Sequence, residues 1–237
     1  HKQNFYGTEK DGEYVPFASK GRGLILLYIG FSFLIPLIFL FRFAVLTPIS
    51  YFSSGLRKFV DQKMSSLNID LNYQRPQPSL GRNEGWKLQE VWAGIYGIGF
   101  IALVIFKIMP AKALFMWYCL GASLFLVNSV RTLAAHHYRN AEEGELSFTD
   151  QMLDSINNPG NRWITPLWAP VGLRFHATHH LFPDLPYHVL GKAHNRLLED
   201  NGINSLYGKT VQSGLWPSLC QLWKQAGFNN LNKGAEI

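Results

Sequence analysis

Seven of the eight histidines fall between His136 and His194, and five of those form two compact groups, His136-His137 and His176-Ala-Thr-His179-His180. Neutral imidazole is a ligand for iron, copper, zinc or nickel. On a helix, residues three and four apart share a face, so His176, His179 and His180 can aim their rings into one small volume. No glutamate follows His176 to act as the base of an HExxH zinc protease, and the two cysteines, Cys119 and Cys220, complete neither a zinc set nor a disulfide framework. An all-imidazole set of five or more ligands is too rich for one tetrahedral zinc, and two metals sharing the ligands is the simpler account. His136 and His137 are neighbours, about 100° apart if helical, so one of the pair is the expected ligand. The bland alternative for an isolated HxxHH is a solvated helix face. His188 and His194 lie in a Pro-bounded segment and read as structural or supporting. Asp150, Asp154 and Asp184 are candidates for holding the second imidazole nitrogen of a ligand.

The elements that must place these residues are strongly apolar. Of 237 residues 47% are hydrophobic and 16% charged, and the net charge of +6 comes from scattered basic residues with no nucleic-acid motif around them. No nucleic-acid partner is expected. Residues 1–22 are polar and turn-rich. Residues 23–49 are apolar apart from Arg42, with Pro36 and Pro48 inside. Residues 54–88 are polar and basic, and two further apolar runs, 91–109 and 113–130, are separated by Pro110-Ala-Lys112. Each of these two is close to the roughly 20 residues that span a bilayer as a helix, and the tight break makes them a hairpin across 91–130. A pair of buried helices in a soluble core is the alternative, but few such helices are apolar all round. The expected fold is all-α and integral to the membrane: a transmembrane helical hairpin, a membrane-embedded or interfacial helix at 23–49, and a helical His-rich cap at 131–237. Ligands of one site must lie on one side of the bilayer, so the crossings between His1 and His136 must be even in number. The 23–49 segment is therefore expected to enter and leave by one face, bent at Pro36, with Arg42 reaching to the headgroups.

The stretch His176-Ala-Thr-His-His-Leu-Phe-Pro-Asp-Leu-Pro-Tyr-His188-Val-Leu resembles the third histidine box of the membrane fatty acid desaturases, HxxHHLFPxxPxYHL. Leu133-Ala-Ala-His136, closing an apolar run, is similar to the place where stearoyl-CoA-type desaturases carry an additional iron-binding histidine, with His137 its competitor. His1 and the polar loop after it resemble the end of the second box, HxxHH. The resemblance covers nearly all of 1–237 as one desaturase-like domain, its carboxy-terminal part. The first box and most of the second would lie upstream, so the opening at His1 reads as an amino-terminal truncation, and residues 1–237 alone are expected to be inactive. The resemblance implies two non-haem iron ions held by His1, His136, His137, His176, His179 and His180, with O2 as co-substrate. It implies an acyl lipid, acyl-CoA or acyl-ACP substrate, a ferredoxin or cytochrome b5-type electron donor, and a His-rich region on the cytosolic side of the membrane.

Removing hydrogen from an unactivated methylene needs an oxidant that no side chain supplies, so the reaction expected is oxygen-dependent introduction of a C=C bond at iron. A hydroxylase or ketolase on the same scaffold is the alternative, because the first hydrogen abstraction is shared. A membrane metal-binding or transport protein is a rival of another class. It would place polar residues inside the spans, where little beyond Asn128 and Ser129 is found.

Overall fold

The computed structural model describes residues 5–8, 10–76, 83–141 and 144–234. His1 lies outside them. The described chain is helical and contains no strand, only isolated bridges such as His136 with Ser155 and Asn157 with Phe175. It divides into two compact units, one built from Gly30–Leu126 and the other from His1–Ile29 with Val127–Ile237.

Among the described residues two helices are long and apolar enough to cross a membrane, both lying wholly or mostly in the Gly30–Leu126 unit. Helix α6 (Asn83–Ile105) contributes Gly85–Ile105, and α7 (Ala111–Leu133) does so over all its 23 residues. At 1.5 Å per residue α7 is about 34 Å long, against a hydrocarbon core of about 30 Å. The hairpin expected from the sequence is thus present, but α6 starts eight residues before the apolar run 91–109 and ends four before its close, while α7 overruns 113–130 at both ends. Before it come α1 (Phe17–Lys20), α2 (Arg22–Phe31) and α3 (Ile35–Phe41), then a wide π turn at Arg42–Leu46, α4 (Thr47–Ser50) and α5 (Ser54–Lys63). Helix α2 and the Ile35–Ser50 helix meet at a bend of 50°. Pro36 causes the break: it stands in the first turn of α3, where a missing N–H leaves no helix bond unmade. Small residues admit this segment to the hairpin, since a Cβ on Gly121 would lie 3.2 Å from Pro36 Cγ and one on Gly94 3.1 Å from the Phe43 carbonyl oxygen.

Arg42 does not reach out to headgroups. It is buried, paired with Glu90 of α6, and donates to the carbonyl of Met64 at 3.0 Å and to Thr47 Oγ1 at 2.8 Å. Arg57 of α5 takes the other Glu90 oxygen at 2.8 Å. A buried guanidinium needs an anion and several acceptors, and Glu90 at the head of α6 supplies the anion at closer range than the lipid could.

The second unit gathers the loop around Tyr6 and Tyr14 with the short helices that follow α7: α8 (Phe148–Asp154), α9 (Thr165–Trp168), α10 (His176–Leu181), α11 (Leu190–Asn201) and α12 (Leu215–Gly234). Buried polar side chains stitch it together. Asn157 Oδ1 accepts from the backbone N–H of Thr178 at 3.1 Å, while its amide donates to Thr210 Oγ1 at 3.0 Å and to the Tyr207 hydroxyl at 3.3 Å. His194 Nδ1 lies 2.7 Å from that same hydroxyl, which is also 2.7 Å from Thr178 Oγ1. Helix α10 is thereby clamped from below by α11 and by the turn before α12.

Candidate metal centre

Two of the three α10 histidines point the same way. His176 and His180 are four residues apart, and their Nε2 atoms approach to 3.2 Å. His179, three residues from His176, is exposed, with its ring 6.2 Å from that of His176 and 6.0 Å from that of His180. The third ring comes from just beyond α7, where Ala134 and Ala135 end the helix and the chain straightens into the bridge with Ser155. His136 Nε2 lies 2.8 Å from His176 Nε2. One ring nitrogen from each of His136, His176 and His180 lies within 4.8 Å of the other two. His137 is buried but does not join them. In straightened chain its side chain leaves on the other side, and its backbone N–H donates to the Asp154 carbonyl at 2.7 Å.

Behind His136 stands a relay. The Tyr6 hydroxyl donates to Asp154 Oδ2 at 2.9 Å and lies 2.8 Å from His136 Nδ1. A hydroxyl has one proton, so with Asp154 ionised the Tyr6 oxygen accepts from His136 Nδ1–H, and the lone pair of His136 is left on Nε2, facing the other rings. Asp154 Oδ1 accepts the backbone N–H of Arg139 at 3.1 Å. Burial holds the Asp154 carboxyl above its ordinary range, and these hydrogen bonds work against that rise. Burial pushes His136 and His176 well below the ordinary imidazole range and His180 down to about 3, so all three rings are neutral near pH 7.

Neutral, converging imidazole nitrogens with no thiolate among them are the donor set of a borderline metal ion such as iron, copper or zinc. The Nε2 atoms of His136 and His180 lie 2.8 and 3.2 Å from that of His176, the spacing of imidazoles that share one cation at about 2.0–2.1 Å from each. The residues present therefore fit a metal.

Of the other residues singled out from sequence, Asp150 forms the cap of α8 with Ser147, Asp184 and His188 are exposed, and His194 braces Tyr207. Asp154 alone of the three acids backs a clustered histidine. Tyr6, Asn157 and Tyr207 were not foreseen. The only hint in the sequence was the presence of aromatic side chains, Tyr6 and Tyr14, in an otherwise polar segment.

An all-helical chain with a membrane-spanning hairpin and a converging imidazole cluster beside the end of a span defines a class of histidine-rich membrane proteins. The fatty acid desaturase family profile matches residues 1–207, and the chain belongs to that family. The chain is 37% identical over 240 residues to a ceramide hydroxylase of Caulobacter vibrioides (strain NA1000 / CB15N), an alignment covering 97% of this chain and 65% of the relative. The chain thus spans just under two thirds of that relative's length. No solved structure matches.

Proposed function

We propose that this chain is the carboxy-terminal part of an oxygen-dependent membrane oxidoreductase that oxidises an unactivated C–H bond in the acyl portion of a lipid, and that the product is an alcohol. The triad of converging neutral imidazoles at His136, buried, and His176 and His180, half-buried, carries the reading. His136, His176 and His180 would hold iron, with His1, His137 and His179 as further candidates from the sequence. Bound iron would supply the activation of O2 that side chains cannot. The chain's own residues orient and shield: Tyr6 and Asp154 fix the tautomer of His136, and burial keeps the three rings unprotonated.

Hydroxylation is preferred because the 37% identical relative bears the name ceramide hydroxylase. It consumes R–H, O2, two electrons and two protons and yields R–OH and water. Desaturation, the expectation from the histidine boxes, consumes the same O2, electrons and protons with a –CH2–CH2– unit and yields –CH=CH– and two waters. Two electrons per turnover call for a reduced carrier, with ferredoxin and cytochrome b5 the types in view. A sphingolipid acyl chain is the substrate that the relative's name suggests, ahead of acyl-CoA or acyl-ACP.

The Asn140 amide donates to the Gly7 carbonyl at 3.1 Å, so the segments before α2 and after α7 share one side of the bilayer. If α6 and α7 each cross, the bent pair from Arg22 to Ser50 enters and leaves by one face; the resemblance to the desaturases favours the cytosol as the side of the His-rich region. Lipid mass spectrometry of cells expressing the whole protein decides the chemistry. Gain of one oxygen in ceramide supports hydroxylation, loss of two hydrogens favours desaturation, and an unchanged lipid profile with iron-loaded protein refutes both.

A further inference from the structure

The loop leading into α10 is apolar on the wrong side for water. Between Asn161 and Leu173 the large side chains Trp163 (77% exposed), Ile164, Leu167 (79% exposed) and Val171 face outward, while the small Thr165 and Ala169 are buried. Slack chain does not account for this. Asn161 Oδ1 accepts from the N–H groups of Trp163 and Ile164 at 2.8 and 3.1 Å, and Thr165 N–H donates to the Asn161 carbonyl at 3.0 Å. Two glycines close the loop in left-handed conformations, Gly160 at φ +49° and Gly172 at φ +75°, where an added Cβ would meet Thr165 Oγ1 and the Tyr187 carbonyl oxygen at 2.3 and 2.6 Å. The fold is spending order to hold these apolar side chains out.

Three observations say what covers them. Asn158 at the loop's base donates its backbone N–H to the Arg174 carbonyl at 2.7 Å and its side-chain amide to the Ala134 carbonyl at 3.0 Å. Ala134 is the residue after Leu133, the end of the membrane-spanning helix α7, so the base of the loop is tied to the level at which a span leaves the hydrocarbon. The composition is that of a bilayer interface, two tryptophans with one proline between them and another just after. The charge is one-sided: no acidic residue occurs between Asp154 and Asp184, while Arg162 and Arg174 flank the apolar stretch, with Arg162 over the Trp163 ring at 5.5 Å.

From these we infer that residues 161–173 form an interfacial wedge that dips into the headgroup and acyl boundary of a bilayer, its arginines on lipid phosphates, as a membrane contact separate from the spans. The wedge runs directly through Phe175 into His176, so it sets the depth at which the α10 rings meet a lipid. It holds whichever oxidation the site performs, and whether or not a metal is bound.

The test uses the full chain, with Cys119 and Cys220 replaced by serine, in vesicles of phosphatidylcholine and phosphatidylglycerol. A nitroxide is attached at Leu167→Cys and, independently, at Val171→Cys, so that a disturbance of the loop by one label is exposed by the other. Power saturation is expected to show each label more accessible to dissolved oxygen than to a water-soluble nickel chelate, as at a reference label on Leu120 within α7. Greater accessibility to the chelate overturns the wedge. Protection from both reagents also overturns it, in favour of a protein cover, for which a second copy of the chain is the simplest occupant.

Discussion

Replacing Tyr6 with Phe removes one oxygen and keeps the ring. That oxygen lies 2.8 Å from His136 Nδ1 and 2.9 Å from Asp154 Oδ2, and the residue is only 1% exposed, so water cannot take its place without a cavity opening. The two atoms it joins are 3.9 Å apart, too far for a direct hydrogen bond, so His136 Nδ1 is left with the longer contact to Ser155 Oγ at 3.4 Å, while Asp154 keeps Tyr14 and the Arg139 N–H. Weakening the hydrogen bonding of buried groups in this way costs about 1–3 kcal/mol. Loss of a group that orients a metal-binding histidine typically lowers metal affinity by about 10–100-fold, which is about 1.4–2.7 kcal/mol. The assay is iron bound per chain at graded free Fe(II), read by metal analysis, alongside thermal melting of the metal-free protein. Tyr14→Phe serves as the comparison, since Tyr14 also bonds Asp154 but makes only a ring-edge approach to His136, at 6.1 Å between centroids. Y6F is expected to lose at least tenfold in iron affinity and Y14F much less. Equal affinity for Y6F and the parent protein, with the fold intact, would refute the claim that Tyr6 sets the tautomer of His136.

Other perturbations follow from the same geometry. In the metal-free protein, His180 and His194 have folded-state pKa values pushed by burial to about 3 and about 4, below the ordinary 6.5. The unfolded chain therefore binds more protons than the folded one below pH 6.5, and stability falls as pH drops from about 6.5 toward those values. Melting temperatures at pH 7.5 and pH 5 check this, and a flat profile would contradict it. Asn157→Ala strips four hydrogen bonds from the clamp beneath α10 and is expected to cost about 2–4 kcal/mol in denaturant unfolding. Glu90→Gln leaves the buried Arg42 without its anion, while Arg57 keeps Asp61 at 2.6 Å, and is expected to destabilise by about 3 kcal/mol, measured as melting in detergent. Cysteines placed at residues 10 and 140 are expected to label from the same face of sealed vesicles; labelling from opposite faces would rule out the re-entrant reading of the bent pair.

Composition and periodicity alone were sufficient for the spans, because a bilayer demands only length and apolarity of a helix, and both are additive properties of local sequence. The i, i+4 spacing likewise made the convergence of His176 and His180 legible, since residues four apart share a face once the segment is helical. Pro36 announced its own break.

Tertiary structure decided the rest. His136 rather than His137 enters the cluster because Ala135 leaves the helix and the bridge to Ser155 straightens the chain, so the neighbours diverge. His179 stays outside because a six-residue helix packed on Asn157 and Tyr207 through Thr178 can turn only one face inward. Tyr6 and Asp154 meet across 148 positions of sequence, and Arg42 finds Glu90 across 48; no local pattern encodes a partner at that range. A side chain's type and spacing limit what it can bind, but which of several equivalent side chains does so is set by the elements that bury it, and burial is a property of the whole fold.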